Sequence, residues 1–377
     1  MLELVGKEIS VEVAHKNILD LTYPQLEELL RSLGEPAYRS GQILRWIYGR
    51  LAIAFEEMTD LPLPLRQKLT ESASLSSLTP VDERISSNGQ TRKVLFKLDD
   101  GRTIESSLMF YEKAGSSRER RTVCVSTQVG CPVGCLFCAT GQQGFERNLR
   151  PGEIIEQVLY FMRLVSAEQI SEDSAADSTR RSITNVVFMG MGEPLANYEA
   201  VWQAIEMLNS KRGLGLGVRQ ITISTAGLVP QIPRLAGESL HIELAISLHA
   251  AKDALRNRLV PINKKYPLGQ LIPACREYFK KTGRRPTFEY ALFQGVNDSA
   301  EHAHELARLL EGMNCQVNLI AGNPTACEEF APSPMKRVLA FQNILKDSGV
   351  TSTVRISKGA DIEAGCGQLR SRLARAL

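Results

Sequence analysis

The sequence predicts an α/β protein, and three patterns along the chain indicate this. From about residue 121 onward, short apolar segments alternate with segments of helical pattern, which is the order expected of parallel strands joined by helices. One of them, Asn185-Val-Val-Phe-Met189, is apolar enough for burial on both faces of a parallel sheet. Ahead of this region, residues 93–109 read as a two-stranded hairpin, and residues 17 to about 80 read as helical.

The composition is that of an ordinary soluble protein long enough for two domains. The chain has 377 residues, 43% of them hydrophobic and 23% charged, and its net charge of +3 does not by itself indicate nucleic-acid binding. No apolar run reaches the roughly 18 residues that a membrane span needs, and the N-terminus lacks the pattern of a signal peptide. Eight cysteines, three of them clustered, favour a reducing compartment. We therefore expect a cytoplasmic protein with no membrane partner.

The first predicted helix begins at Thr22, which can act as its cap. Gln25 can reach back to that cap as the third helical residue, and Gly34 can end the helix. A second helix is predicted from about Ser40 to Arg50, where Trp46 and its apolar neighbours form a stripe. We interpret the stripe as core and the two helices as a small accessory domain with its own core.

A hairpin is predicted next. Lys93–Leu98 and Arg102–Met109 have the alternation of strands, and Asp100-Gly101 between them is a signal for a tight turn. Successive side chains of a strand point to opposite faces, so Glu105 falls on the face opposite to Ile104.

Seven strands are predicted for the alternating region: Thr122–Val125, Ile183–Met189, Gln220–Ser224, Glu243–Leu248, Thr287–Leu292, Gln316–Ile320 and Thr353–Ile356. Helices are predicted between them, including Pro151–Leu164 and Ala300–Leu310. The stretch 166–182 is small and polar, which predicts a surface loop between a helix and a strand.

Three cysteines carry the strongest chemical signal. Cys131, Cys135 and Cys138 stand at C-x3-C-x2-C spacing and can hold one iron–sulfur cluster. Such clusters usually take four thiolates, so three would leave one iron open to a small molecule. Zinc is the rival metal, although its sites usually show paired C-x2-C or Cys/His spacing and no histidine lies nearby. Three buried cysteines on a turn are the remaining interpretation.

The cysteine spacing resembles that of radical S-adenosylmethionine (SAM) enzymes. The longer stretches Cys124-Val-Ser-Thr-Gln-Val-Gly-Cys131 and Cys138-Ala-Thr-Gly-Gln-Gln-Gly-Phe-Glu-Arg-Asn-Leu149 resemble the rRNA/tRNA adenine-C2 methyltransferases. This resemblance runs from about Asn17 to Leu369. It implies a [4Fe–4S] cluster on the three cysteines, with its open iron chelating the amino and carboxylate groups of SAM.

For the fold, the resemblance implies a partial, open (β/α)6 radical SAM barrel with a small helical N-terminal accessory domain and a β-hairpin extension. The divisions we expect are residues 1–85 for the accessory, RNA-binding domain, 86–115 for the hairpin, 116–360 for the radical SAM core, and 361–377 for a C-terminal loop and tail that carries a methylated cysteine. Barrel active sites lie at the C-terminal ends of the strands, so motifs there are candidates.

Several polar motifs stand at those strand ends. In Gly190-Met-Gly-Glu-Pro194, glycines admit a ligand close to the backbone, and a carboxylate can accept hydrogen bonds from an ammonium group. The resemblance makes the following residues SAM contacts: Gly192, Glu193, Ser224, Ser247, Leu248, His249 and Asn323. Without it, the serines would be turn formers and the histidine a core residue. The family more often shows Pro-Trp where this chain has Ala321-Gly322, a departure in the wall of the adenosine pocket.

The resemblance also implies three catalytic residues. Cys366, flanked by glycines, receives a methyl group from one SAM, and a second SAM supplies the radical that takes a hydrogen atom from that group. The resulting carbon radical adds to C2 of adenine, and Glu105 is the candidate base for the C2 proton. Cys124 then attacks Cys366, which forms a disulfide and frees the base. On the residues alone, Cys124 would be a small core hydrophobe and Glu105 a solvated acid.

Other functions remain open at this point. An adenine-C8 rRNA methyltransferase of the related antibiotic-resistance type shares the chemistry, although Gln142-Gln-Gly-Phe145 is more similar to the C2 enzymes. A radical SAM enzyme acting on a protein or metabolite would not need Cys366, and a non-catalytic iron–sulfur RNA-binding protein would not need a SAM pocket. The resemblance implies 23S rRNA and also tRNA as substrates, with an electron-donor protein or other reductant as partner. We expect a monomer, and we interpret Cys275, Cys315 and Cys327 as structural.

Overall fold

The computed structural model describes residues 16–111, 120–171, 183–321, 328–355, 362 and 368–370. Within these ranges, none of the helices combines the length and the apolar composition that crossing a membrane requires.

The described strands are, in chain order, β1 (Lys16–Asn17), β2 (Ala73–Ser74), β3 (Leu78–Ile85), β4 (Thr91–Leu98), β5 (Thr103–Tyr111), β6 (Arg120–Cys124), β7 (Gln128–Gly130), β8 (Phe145–Asn148), β9 (Asn185–Phe188), β10 (Ile221–Thr225), β11 (Glu243–Ser247), β12 (Thr287–Leu292), β13 (Gln316–Ala321) and β14 (Ser352–Arg355). The described α-helices are α1 (Tyr23–Ser32), α2 (Arg39–Leu44), α3 (Leu63–Ser72), α4 (Ala139–Gln142), α5 (Pro151–Ser171), α6 (Tyr198–Asn209), α7 (Gln231–Gly237), α8 (Asp253–Leu259), α9 (Leu268–Thr282), α10 (Ala300–Leu309) and α11 (Met335–Asp347).

Ten of these strands form one open sheet in the order β14-β13-β12-β11-β10-β9-β6-β5-β4-β3. From β14 to β6 all neighbours are parallel, and from β6 to β3 all are antiparallel. The sheet has two free edges, β14 and β3, so among the described residues the barrel is partial and does not close. The predicted α/β class and open radical SAM barrel are confirmed.

The two faces of the barrel strands have different chemistry. On β12, Phe288 and Tyr290 are fully buried in the apolar layer beneath the helices, whereas Thr287 and Glu289 face the inside of the barrel. This alternation follows the period of two of a strand. The inside face therefore supplies polar groups, and the apolar face fixes the strands that carry them.

The N-terminal helices pack on the barrel. Gln25 Oε1 accepts a hydrogen bond from Thr22 N at 2.8 Å, as predicted for the start of α1, and Gly34 follows the end of α1 at φ 78°. Asp20 Oδ1 accepts a hydrogen bond from Gly152 N at 2.8 Å at the start of α5. The buried apolar side chains of this segment belong to one cluster with those of the barrel. The prediction of a separate core for the N-terminal segment was therefore wrong.

Three local predictions also need correction. The helix α5 continues to Ser171, so the first six residues of the loop predicted at 166–182 are helical. Residues 172–182 lie outside the described part. The hairpin has a third strand, β3, part of which was read as helical. The short pair β7–β8, which brackets the cysteine segment, was not predicted.

Candidate active site

The cysteine loop is closed at its base by β7 and β8. Gly130 has φ 75°, and a Cβ at this position would lie 2.0 Å from the carbonyl oxygen of Gly144. Only glycine fits so close an approach. Directly after it, Cys131 N donates to Gly144 O at 2.8 Å. The backbone therefore returns to its starting point, and all three cysteines of the motif lie on the enclosed loop.

The three thiols form one group. Burial raises the pKa of Cys131 to about 12 and also raises the pKa values of Cys135 and Cys138. Cys131 and Cys138 lie close enough to Cys135 to raise its pKa further. Thiolate sulfurs held this way need a compensating positive charge, which a bound iron–sulfur cluster would supply.

Backbone amides favour thiolate ligands on this loop. The N–H groups of Val133 and Gly134 face the sulfur of Cys131, and those of Thr140 and Gly141 face that of Cys138. Hydrogen bonds to the sulfurs are a feature of protein iron–sulfur sites. In the described part of the chain, no three His, Cys, Asp or Glu side chains are grouped to hold a single metal ion.

The glycine-rich turn after β9 holds a buried carboxylate. Gly192 has φ 106°, and a Cβ there would lie 2.7 Å from Gln128 Cβ. Glu193 Oε1 accepts from Leu195 N at 3.0 Å, and its Oε2 accepts from Ala226 N at 2.7 Å. Burial raises the pKa of Glu193 to about 7, against the effect of these hydrogen bonds. The carboxylate lies near the cysteine loop, since its charge raises the pKa of Cys131.

His249 is a neutral, buried ring next to the cysteine loop. Its Nδ1 accepts from Ala291 N at 3.0 Å, so the proton is assigned to Nε2. Burial and the charge of Arg256 lower the pKa of His249 to about 3. The ring of Phe137, inside the cysteine motif, packs edge-on at 4.7 Å between centroids. His249 is thus placed as a hydrogen-bond donor and not as a cation.

The other predicted SAM contacts differ in position. Ser224 and Ser247 lie on β10 and β11, each half-buried near the C-terminal end of its strand. Leu248 is fully buried, its N–H donates to Glu289 O, and its carbonyl accepts from Arg256. Asn323 lies outside the described residues.

Arg256 organises this end of the sheet, and the sequence analysis did not identify it. The side chain is fully buried on α8. Its guanidinium donates to the carbonyls of Ala226, Ser247 and Leu248, at 2.7, 3.0 and 3.1 Å, and to Asn263 Oδ1 at 2.7 Å. Burial lowers its pKa to about 10, so it stays charged at neutral pH. No sequence signal separates this arginine from solvated arginines on other helices.

We expect Arg256→Met to destabilise the folded protein strongly. The substitution removes the guanidinium donors from this buried end of the sheet, and each polar group left unpaired costs roughly 1–3 kcal/mol. We expect the thermal unfolding midpoint of the cluster-loaded protein to fall by about 5 °C or more. Arg258→Met, on the same helix but half-exposed, is the matched control and should change the midpoint little. Equal effects of the two substitutions would show that the buried network does not hold the strand ends.

Inside the barrel lies a cavity of about 480 Å³. Glu105 and Cys124 both line it, and Cys124 is partly exposed to it as a free thiol. Glu105 is 3% exposed, on the face of β5 that was predicted for it, and its Oε2 lies 2.6 Å from Lys93 Nζ. Its Oε1 accepts a hydrogen bond from the backbone N–H of Arg370. The structure thus brings two of the three predicted catalytic residues to one cavity. Cys366 lies outside the described residues.

Lys93 is the second buried charged residue that the sequence analysis missed. A signal for it existed, because Val94, Phe96 and Leu98 form the apolar face of β4, which leaves Lys93 on the face of Glu105.

These features define a class before any relative is considered. An open parallel barrel with a three-cysteine loop and a buried carboxylate at its strand ends is the architecture of a radical SAM enzyme. Residues 125–310 match the family model "Radical SAM superfamily", and residues 16–75 match "Ribosomal RNA large subunit methyltransferase N-terminal domain".

Relatives narrow the class. The chain is 46% identical to "Probable dual-specificity RNA methyltransferase RlmN" of Roseiflexus sp. (strain RS-1), over 94% of this chain and 96% of that protein. It is 48% identical to "Ribosomal RNA large subunit methyltransferase N" of Nitrosopumilus maritimus, over 92% of this chain and 96% of that protein. The crystal structure of a radical SAM methyltransferase from Sphaerobacter thermophilus superimposes with a TM-score of 0.87, at 48% identity, over 94% of this chain and 99% of the other.

The chain belongs to the RlmN family of radical SAM RNA methyltransferases. It is therefore an enzyme, and its cofactors are a [4Fe–4S] cluster and SAM. The alternative of a non-catalytic iron–sulfur RNA-binding protein was wrong.

Proposed function

We propose that this enzyme methylates C2 of an adenine in 23S rRNA, and also in tRNA, through a methylated Cys366 and with two SAM per turnover. One observation carries the proposal: Glu105 and Cys124 face the same cavity, and Arg370 binds Glu105 through its backbone N–H. Cys366 precedes Arg370 by four residues, and four residues of chain span at most roughly 14 Å. This short separation along the chain supports Cys366 as the residue that carries the methyl group.

Two sets of residues on this chain could bind the two cofactors. We propose that Cys131, Cys135 and Cys138 hold the cluster, and that Gly192, Glu193, Ser224, Ser247, Leu248, His249 and Asn323 surround SAM. Leu248 would contribute only as part of the pocket wall, because its backbone groups are already hydrogen-bonded. When bound, the cluster and SAM would supply the radical chemistry that activates the S-methyl group of Cys366.

The residues of this chain perform the remaining steps. The S-bound carbon radical adds to C2 of the base, Glu105 removes the C2 proton, and the adduct radical gives up one electron, which the cluster would take back. Cys124 then attacks the sulfur of Cys366, so that the carbon–sulfur bond breaks, a disulfide forms and the released carbon takes up a proton. A reductant must return the disulfide to two thiols. This step requires a reduced Cys124, and Cys124 forms no disulfide with any described cysteine.

Partners follow from the same proposal. Residues 1–85 would help to hold the RNA, and their match to an RNA methyltransferase N-terminal domain supports this. Residues 86–115 and 116–360 would supply the hairpin and the radical SAM core, and 361–377 the segment with the methylated cysteine. We propose a cytoplasmic monomer that receives electrons from a donor protein or another reductant.

Mass spectrometry of nucleosides tests the function directly. The enzyme, loaded with its cluster, is incubated with SAM, a reductant and either 23S rRNA or tRNA, and the digested nucleosides are compared with C2- and C8-methyladenosine standards. The proposal requires C2-methyladenosine in both RNAs. Methylation at C8, or methylated protein with unmodified RNA, would contradict it.

We expect SAM binding to weaken as the pH falls through about 7. The pKa of Glu193 is raised to about 7 by burial, so below this pH the carboxyl is neutral in the SAM-free protein and must lose its proton to pair with the SAM ammonium. Calorimetry should show about tenfold weaker binding at pH 6 than at pH 8.

Glu193→Gln should remove most of that pH dependence. It should also weaken binding at pH 8 by about one to two decades, the value of a buried charge-assisted hydrogen bond of roughly 1.5–3 kcal/mol. Glu199→Gln, at an exposed site on α6, is the control. Unchanged affinity and pH dependence in Glu193→Gln would remove this residue from the SAM site.

A further inference from the structure

Three side chains form a row across the antiparallel strands next to the cavity. Lys93 on β4 is directly opposite Ser107 on β5, and Ser107 is directly opposite Cys124 on β6. Residues opposite one another in a sheet share a face, so the three point to the same side. Glu105 is two residues from Ser107 on the same strand and shares this face. All four line the cavity.

Lys93 is unusual among the lysines that the structure describes. It is 1% exposed, whereas Lys97, on the same strand and the same face, is exposed. Burial of an ammonium group is costly unless a counter-charge stabilises it. The Glu105 carboxylate at 2.6 Å provides this charge. None of the reaction steps proposed above involves Lys93.

We propose that Lys93 is a positioning residue that couples Glu105 to Cys124: its ammonium holds the Glu105 carboxylate at the cavity wall, and it stabilises the Cys124 thiolate once that carboxylate has taken a proton. The proposal rests on the roles proposed above for Glu105 and Cys124.

The electrostatics at Cys124 support this coupling. Burial raises the pKa of Cys124 to about 11, a hydrogen bond from the backbone of Met189 and the charge of Lys93 oppose this rise, and the charge of Glu105 adds to it. While Glu105 is ionised, it therefore offsets the help that Lys93 gives to the thiolate. When Glu105 accepts the C2 proton, its charge disappears and the ammonium acts on Cys124 alone. The nucleophile is thus favoured after proton removal and not before it.

Each proton that moves in this sequence of steps has a donor and an acceptor. Glu105 takes the C2 proton and becomes neutral, the Cys124 thiol loses its proton to solvent, and the thiolate attacks the sulfur of Cys366. The electron pair of the broken carbon–sulfur bond stays on the released carbon, which takes a proton from the Glu105 carboxyl. Glu105 is then again the ionised partner of Lys93. The other charged or titratable groups around this part of the cavity are Arg120, Arg219, Glu243, Glu289, Arg355, Tyr111, Arg370 and Cys138.

Alkylation of Cys124 tests the coupling without any RNA. The cluster-loaded protein is treated with iodoacetamide under anaerobic conditions across a pH series, and the modification is assigned to Cys124 by peptide fragmentation. At pH 8 the alkylation rate follows the thiolate fraction, so one unit of thiol pKa changes it about tenfold. We expect Lys93→Met to lower the rate about tenfold, because the charge that favours the thiolate is lost. We expect Glu105→Gln to raise it about tenfold, because the charge that opposes the thiolate is lost.

The opposite signs separate this role from a structural one. A lost ion pair that merely loosened the sheet would change access to Cys124 in the same direction in both variants. Lys93→Arg, which keeps the charge, should restore a rate near that of the unsubstituted protein, and Lys97→Met should not alter it. Changes of the same sign in Lys93→Met and Glu105→Gln, or no change in either, would overturn the proposal.

The test stands even where Lys93→Met does not fold. The double variant Lys93→Met/Glu105→Gln carries neither charge, so no buried ion is left unpaired by the pair of substitutions. It should be alkylated about tenfold more slowly than Glu105→Gln, because the ammonium is absent. Equal rates in these two proteins would also overturn the proposal. Its failure would leave the methylation of RNA, measured separately on nucleosides, untouched.

Discussion

Replacement of Cys135 by alanine is expected to abolish the iron–sulfur cluster. Cys135 lies between Cys131 and Cys138 on the closed loop, and its thiol interacts electrostatically with both. Two remaining thiolates on such a loop cannot hold a cluster that already has only three protein ligands. We expect the visible absorption and the bound iron to fall to background, and RNA methylation with them.

The matched controls are two other cysteines of the chain. Cys275→Ala removes a thiol buried in the core on α9, and Cys124→Ala removes the thiol that lines the cavity. Both proteins should keep full iron content. A Cys135→Ala protein that retains its iron, or a Cys124→Ala protein that loses it, would show that the ligands are wrongly assigned.

Cys124→Ala is expected to leave the enzyme covalently joined to its RNA. The cavity then lacks the thiol that we propose breaks the bond between the base and Cys366, while Glu105 and its ion pair with Lys93 remain. Thiol–disulfide chemistry needs a thiolate at that position, and alanine offers none. On a denaturing gel of protein purified from cells, a slow band should appear, and ribonuclease should remove it.

Cys366→Ala is the companion variant. It lacks the sulfur that carries the methyl group in the proposed relay, so it should form no RNA adduct and should methylate no RNA, while still cleaving SAM slowly. The double variant Cys124→Ala/Cys366→Ala should lose the slow band. Free Cys124→Ala protein together with normally methylated RNA would return Cys124 to the role of a small core residue.

The positions of the barrel strands were predictable from the sequence because the periodicity of a strand is linked to its burial. The strands from β9 to β14 begin and end within two residues of the predicted positions, since their apolar faces lie against helices. The cysteine loop was predictable because its chemistry depends on short spacing along the chain. The edge strand β3 was partly missed, as its Asp82-Glu83-Arg84 segment is polar and carries little of the strand signal.

Buried charges were not predictable in the same way. A lysine on a strand or an arginine on a helix is normally solvated, and the sequence does not show that Lys93 meets Glu105 or that Arg256 meets backbone carbonyls. These contacts depend on register between strands and on the turns at strand ends. Residue 171, the end of α5, was missed for a different reason: polar residues at the end of a long helix resemble a loop.

The most direct test of the methyl relay uses SAM whose methyl group carries three deuterium atoms. If the methyl group passes through Cys366 and loses one hydrogen atom to the SAM-derived radical, the methyladenosine product should carry two deuterium atoms, and the 5′-deoxyadenosine formed with it should carry one. Mass spectrometry of the two products reads both numbers from one reaction. A methyladenosine that keeps all three deuterium atoms, with unlabelled 5′-deoxyadenosine, would show direct transfer from SAM and would contradict the relay.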